Sequence, residues 1–92
     1  MIYVIQSAGY DSKGQFIDLI NIQYVLNAES FDKEFKENNP TARILFKVGC
    51  EDPRVVGSIE ERFKEYRFSD NPNKAGWFVY NEEIIKFFKD KI

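Results

Sequence analysis

The chain has 92 residues, 43% of them apolar and 16% aromatic, with a formal net charge of -2 and no histidine. That length fits one domain. The apolar content excludes a disordered chain, and the near-neutral charge excludes both a polycationic nucleic-acid coat and a strongly acidic nucleic-acid mimic. Without histidine there is no imidazole base, no Ser-His or Cys-His nucleophile and no Cys/His zinc site. An enzyme built on this chain would have to work with carboxylates, tyrosines, lysines and a hard metal ion.

The single cysteine, Cys50, has no partner for an internal disulfide and reads as a small buried or edge residue. No apolar run approaches a membrane span, and the first residues (MIYVIQSAGYDSK) carry no signal-peptide pattern. The expectation is a cytoplasmic protein without membrane contact, in the host cytoplasm if the source is viral.

In chain order, Ile2–Gln6 is a β-branched and aromatic run that predicts a strand. Ser7–Gln15, with two glycines and an Asp-Ser pair, predicts a loop. Phe16–Leu26 predicts a second strand, with Ile20, Ile22, Tyr24 and Leu26 on one face and Asn21 and Gln23 on the other. Asn27 can cap a helix over Ala28–Glu37 that turns Phe31 and Phe35 towards the sheet, and Asn38-Asn39-Pro40 ends it.

Arg43–Val48 predicts a third strand. Asp52-Pro53 opens a helix reaching to about Arg67, with an apolar stripe of Val55, Val56, Ile59, Phe63 and Tyr66. Ser69–Gly76 is a turn-rich loop and Trp77–Tyr80 a short extended piece. Asn81 caps a last helix, acidic at its start (Glu82, Glu83) and basic towards its end (Lys86, Lys89, Lys91), which suits the helix dipole. The order β-β-α-β-α-α predicts an α+β fold: a small three-stranded, mainly antiparallel sheet flanked by helices.

Two segments carry a family likeness. Ile2-Tyr3-Val4-Ile5 resembles the first signature strand of the GIY-YIG nucleases, with Met1 where the glycine would be, and Asn21-Ile22-Gln23 falls where the second signature would be. Further on, Asn39-Pro40, RILFKVG, EERFKEYR and Gly76-Trp77-Phe78 follow one another as in the phage- and virus-associated branch of that family. The likeness spans nearly the whole chain, and order and spacing carry it, since none of the motifs is specific alone.

The resemblance implies a catalytic set of two tyrosines, a strand glycine, a helix arginine and a metal-holding glutamate. Metal and guanidinium would neutralise phosphate charge while a base orients water. Tyr3 matches the first tyrosine. Asn21 stands at the second and Gln23 at the glycine. Alignment on Asn39-Pro40 puts Phe31 at the arginine, and alignment on Phe63–Arg67 puts Val56 at the glutamate. Tyr24 faces away from Asn21, Lys33 points away from the direction of Phe31, and Glu60, one turn after Val56, is the one nearby carboxylate able to substitute.

Catalytic residues, a metal site and cofactors are therefore not expected. The expectation is an inactive GIY-YIG-like domain, phage or viral in origin, that binds DNA or a DNA-processing or host-defence protein and interferes with it. Two alternatives stand beside it: a protein–protein module or homodimer without nucleic-acid contact, and a residual metal-dependent nuclease using Tyr3 and Glu60.

Candidate binding residues are Tyr3, Asn21 and Gln23 on the former catalytic face, the basic helix end Arg62, Lys64 and Arg67 beside Tyr66, and Trp77. The basic residues can grip phosphates or an acidic surface, or can simply be solvated charges favouring a helix end. Trp77 can stack on a base or anchor an interface, or can lie as a lid on the core beneath the last helix.

Overall fold

A computed structural model describes residues 1–38, 42–69 and 76–91. The elements are β1 (Ile2–Tyr10), β2 (Phe16–Tyr24), α1 (Ala28–Asn38), β3 (Arg43–Val48), α2 (Arg54–Arg62), a 3₁₀ turn (Lys64–Tyr66), β4 (Phe78–Val79) and α3 (Glu82–Lys89). The sheet has four strands in the order β3-β1-β2-β4, every neighbouring pair antiparallel. The fourth strand corrects the three-stranded expectation. Two residues are too few to show a period of two. Phe78 nevertheless pairs with Ile20 and Val79 with Leu19, while Phe68 N–H to Trp77 O (2.8 Å) and Tyr80 N–H to Asp18 O (3.0 Å) tie down the flanks.

β1 runs on through Ser7-Ala8-Gly9, which read as a loop, because each residue finds a partner in β2, from Ile2↔Tyr24 to Tyr10↔Phe16. Pairing overrides the weak strand preference of small residues. The turn is confined to 11–15. Asp11 Oδ1 accepts from the N–H groups of Lys13 and Gln15 (2.9 Å each), and Gly14 takes φ +76°, open to a residue without Cβ. β3 stops at Gln6 of β1 and β4 with its flank stops at Asp18 of β2, so Gly9–Tyr10 and their partners Ile17 and Phe16 form a two-stranded tip that carries the edge-on rings of Tyr10 and Phe16.

Leu26 does not continue the β2 face. The strand ends at Tyr24, the Val25 N–H turns to Met1 O (2.8 Å), and Leu26 is 92% exposed. Asn27 caps α1 through Oδ1 to the Ser30 N–H (3.0 Å). The Asn39-Pro40 stop lies outside the described residues, as does most of the predicted loop Ser69–Gly76, namely 70–75.

α2 is shorter than the predicted helix. It gives way after Arg62 to a tighter turn in which Tyr66 N–H reaches Phe63 O (3.0 Å) and Arg67 N–H reaches Lys64 O (3.2 Å). In 3₁₀ geometry residues three apart eclipse, which keeps the Phe63 and Tyr66 rings together, 6.5 Å between centroids. Val55, expected in the apolar stripe, is exposed. Asp52 acts at the start of α2, its Oδ1 accepting from the Arg54 N–H (3.0 Å). Asn81 caps α3, accepting from Ile84 N–H (3.0 Å).

The alternation of β-strand side chains divides the core in two. On one face Ile2, Val4, Ile20, Ile22 and Phe78 pack against Ile59 and Phe63 and against Ile84, Ile85 and Phe88 of α3. On the other, Tyr3, Ile5 and Val25 pack against Phe35 and Phe31 of α1, with Ile44 and Trp77 at the margin. Each fully buried side chain of this size contributes roughly 1.5–3 kcal/mol. No helix among the described residues is long and apolar enough to cross a membrane.

Candidate functional site

The face under α1 holds the polar groups. Sheet register lines up Gln23, Tyr3 and Lys47 in one row across β2, β1 and β3, and Asn21, Ile5 and Ile44 in the next. Directly opposed residues share a face, so both rows look towards α1. The Tyr3 side chain has no exposed area and meets the Phe31 ring edge-on at 4.7 Å. Its hydroxyl donates to Asp32 Oδ1 (2.8 Å), and Lys47 Nζ donates to Asp32 Oδ2 (2.8 Å). Lys47 Nζ also sits 5.4 Å from the centre of the Tyr3 ring.

Asp32 stabilises the protonated state of both its donors, while Lys47 acts on the Tyr3 phenol in the opposite sense. Burial, followed by the hydrogen bond to Asp32, pushes the Tyr3 phenol above its ordinary value, so it keeps its proton at neutral pH. The hydrogen bond to Asp32 raises Lys47 likewise. Asp32 and Lys47 were not singled out in the sequence. Their only signal is positional: Asp32 follows Phe31 on the sheet-facing side of α1, and Lys47 sits opposite Tyr3 once the β1–β3 register is known.

Asn21 and Gln23 lie beside this chain. The Gln23 amide donates to Asn21 Oδ1 (3.1 Å), and Gln23 lines a cleft of about 180 Å³ with Phe31, Glu34, Phe35, Ala42 and Trp77. Trp77 is therefore on the α1 side and is not a lid beneath α3. It precedes Phe78, whose side chain takes the opposite face, so the alternation sends the indole the other way.

Tyr3, Gln23 and Phe31 meet on one face; Val56 does not join them. It packs in the cluster across the sheet with Ile59 and Phe63. Glu60 belongs to the same helix, on the side of the sheet opposite Tyr3, and its nearest ionic partner is Arg67 at 4.0 Å. Among the described residues no group of three His, Cys, Asp or Glu side chains is placed to hold a metal ion.

The basic cluster is split among its own neighbours. Lys64 pairs with Glu61 (3.1 Å), and Arg67 lies near Glu60 and over the Phe78 ring (5.8 Å). Arg62 stacks on Phe63 (5.7 Å) and Phe87 (5.1 Å), in a groove shared with Glu83 and Asp90. Cys50 is half-buried, its thiol directed to Asp52 O at 3.4 Å. No protein family, curated protein or solved structure matches the chain.

Proposed function

We propose that this domain acts by binding a protein, on a scaffold of the GIY-YIG-like kind, without cutting phosphodiesters. The Tyr3–Asp32–Lys47 chain carries the reading. A tyrosine that orients attacking water must turn its hydroxyl towards substrate, whereas this one is fully buried and donates to a carboxylate. The neighbouring amides of Asn21 and Gln23 bond each other and have no acid–base capacity near neutral pH. Residual cleavage by Tyr3 and Glu60 finds no support, because the two lie on opposite sides of the sheet.

A protein is the favoured partner over DNA because Lys64 and Arg67 already have carboxylate neighbours and the chain is net negative. The family likeness supplies a class of partner, a DNA-processing or host-defence protein met by the nuclease shape alone. That step is analogy from fold.

The test is a cleavage assay with magnesium and manganese on duplex and branched DNA, run beside binding to the same DNA across a salt series. No cleavage and no steeply salt-dependent binding are expected. Cleavage that disappears in Tyr3→Phe would restore the nuclease, and binding that falls steeply with salt would make DNA the partner.

A further inference from the structure

β3 is the open edge of the sheet. It has β1 on one side, and among the described residues no backbone hydrogen bond reaches its other side. The opposite edge is shorter and partly occupied, since β4 has two residues and Phe78 is bridged by Arg67. Along β3 lies a cleft of about 480 Å³ lined by Asp32, Phe35, Ile44, Leu45, Phe46 and Lys47. Ile44 and Lys47 belong to the α1 face and Leu45 and Phe46, across the register shift, to the other, so a cleft touching all four lies over the edge itself. There the backbone groups and the apolar side chains are reached together.

The residues along this edge select an occupant. Arg43 is exposed and its Nε donates to Gln6 Oε1 (3.1 Å), a neutral partner; among the described residues no carboxylate lies within ion-pair distance of it. Lys47 supplies a second cation near the other end, already bonded to Asp32. A second copy of the chain is a poor occupant, because antiparallel pairing of two β3 strands gathers two arginines and two lysines on one ribbon.

We propose that the outer edge of β3 takes up an extended, acidic peptide segment of a protein partner as an added strand. Its backbone completes the β3 ladder. Its apolar side chains enter the cleft beside Phe35 and Ile44 on the α1 side, and its carboxylates face Arg43 on the other. Strand addition of this kind draws affinity from main-chain bonds and specificity from alternate side chains. The inference rests on the protein-binding reading and adds the site and the chemistry of the ligand.

The test titrates the intact, isotope-labelled chain with a capped hexapeptide of alternating glutamate and valine, and separately with its lysine–valine counterpart. The acidic peptide is expected to shift the backbone amides of 43–48 and slow their hydrogen exchange, with the basic peptide inert. Arg43→Gln should weaken the acidic peptide several-fold, and Arg43→Glu about tenfold or more. Lys13→Glu, at an exposed cation in the β1–β2 turn, should leave it unchanged.

Three results overturn the proposal: no binding of the acidic peptide at millimolar concentration, shifts confined to the Arg62 groove, or equal binding of both peptides. So does protection of 43–48 without peptide that grows with protein concentration alongside a dimer in light scattering, which gives the edge to a second copy. If peptide binding fails while DNA is neither cut nor bound, the docking site falls and the protein-binding reading stands.

Discussion

The two faces of the sheet are built from alternate residues of the same strands, yet they are different materials. Under α2 and α3 the packed side chains are aliphatic and aromatic, closed by the stacked pair Phe46 and Phe88 (6.1 Å) and the edge-on pair Phe87 and Phe88 (5.2 Å). Under α1 a smaller apolar cluster shares its space with a polar row, and helix and sheet are joined by a phenol, a carboxylate and an ammonium. One face buries most of the apolar core. The other holds groups whose geometry matters more than their burial.

Truncation is the strongest way to break that contrast. Phe78→Ala, deep in the α2/α3 side, should cost about 3–5 kcal/mol in denaturant unfolding, whereas Phe31→Ala on the half-exposed α1 side should cost below about 2 kcal/mol. Equal losses would mean that the two clusters act as one core. Tyr3→Phe comes next. It removes a bond to a carboxylate that still holds Lys47, and should cost about 1–2 kcal/mol. A neutral result would show that the polar row does not fasten α1. Asn81→Ala should cost about 1 kcal/mol by losing the α3 cap, an effect confined to the apolar face.

The smallest effect is on pH dependence. Tyr3, raised first by burial, and Lys47, raised first by its bond to Asp32, both hold protons more tightly in the folded state than in the unfolded one. Tyr66 does so as well, through its bond to Glu83. Their contribution to stability is full below about pH 10 and is lost as pH rises through the folded-state values. Thermal melts should therefore fall above pH 10, and Tyr3→Phe should flatten the fall. A melt that declines identically in the mutant would assign the alkaline loss to Tyr66 or to other groups.

Where local chemistry is strong, the sequence was readable: Arg43–Val48 is bounded as its composition predicts, and the caps at Asn27 and Asn81 bond as expected. Where tertiary pairing decides, it was not. Ser7-Ala8-Gly9 has the makings of a loop and becomes strand only because β2 lies beside it. Phe78–Val79 is too short for periodicity, and the 3₁₀ turn after Arg62 answers to ring packing more than to propensity. At the site, Tyr3, Asn21 and Gln23 were visible and fall together. Asp32 and Lys47 were invisible, because their meaning depends on a helix docking and on the β1–β3 register, which together join residues 15 positions apart.

The β1–β2 ribbon has a consequence for the order of assembly. Its nine cross-strand pairs close over a turn of only five residues, so its contacts are the most local in the sheet, and hairpins of this kind form in about 1–10 μs. β3 and β4 must instead wait for chain that arrives later, and each joins a template that already exists. The Asp11–Gly14 turn thus becomes a kinetic element: Gly14→Ala, at its positive φ, should slow refolding and leave the unfolding rate nearly unchanged.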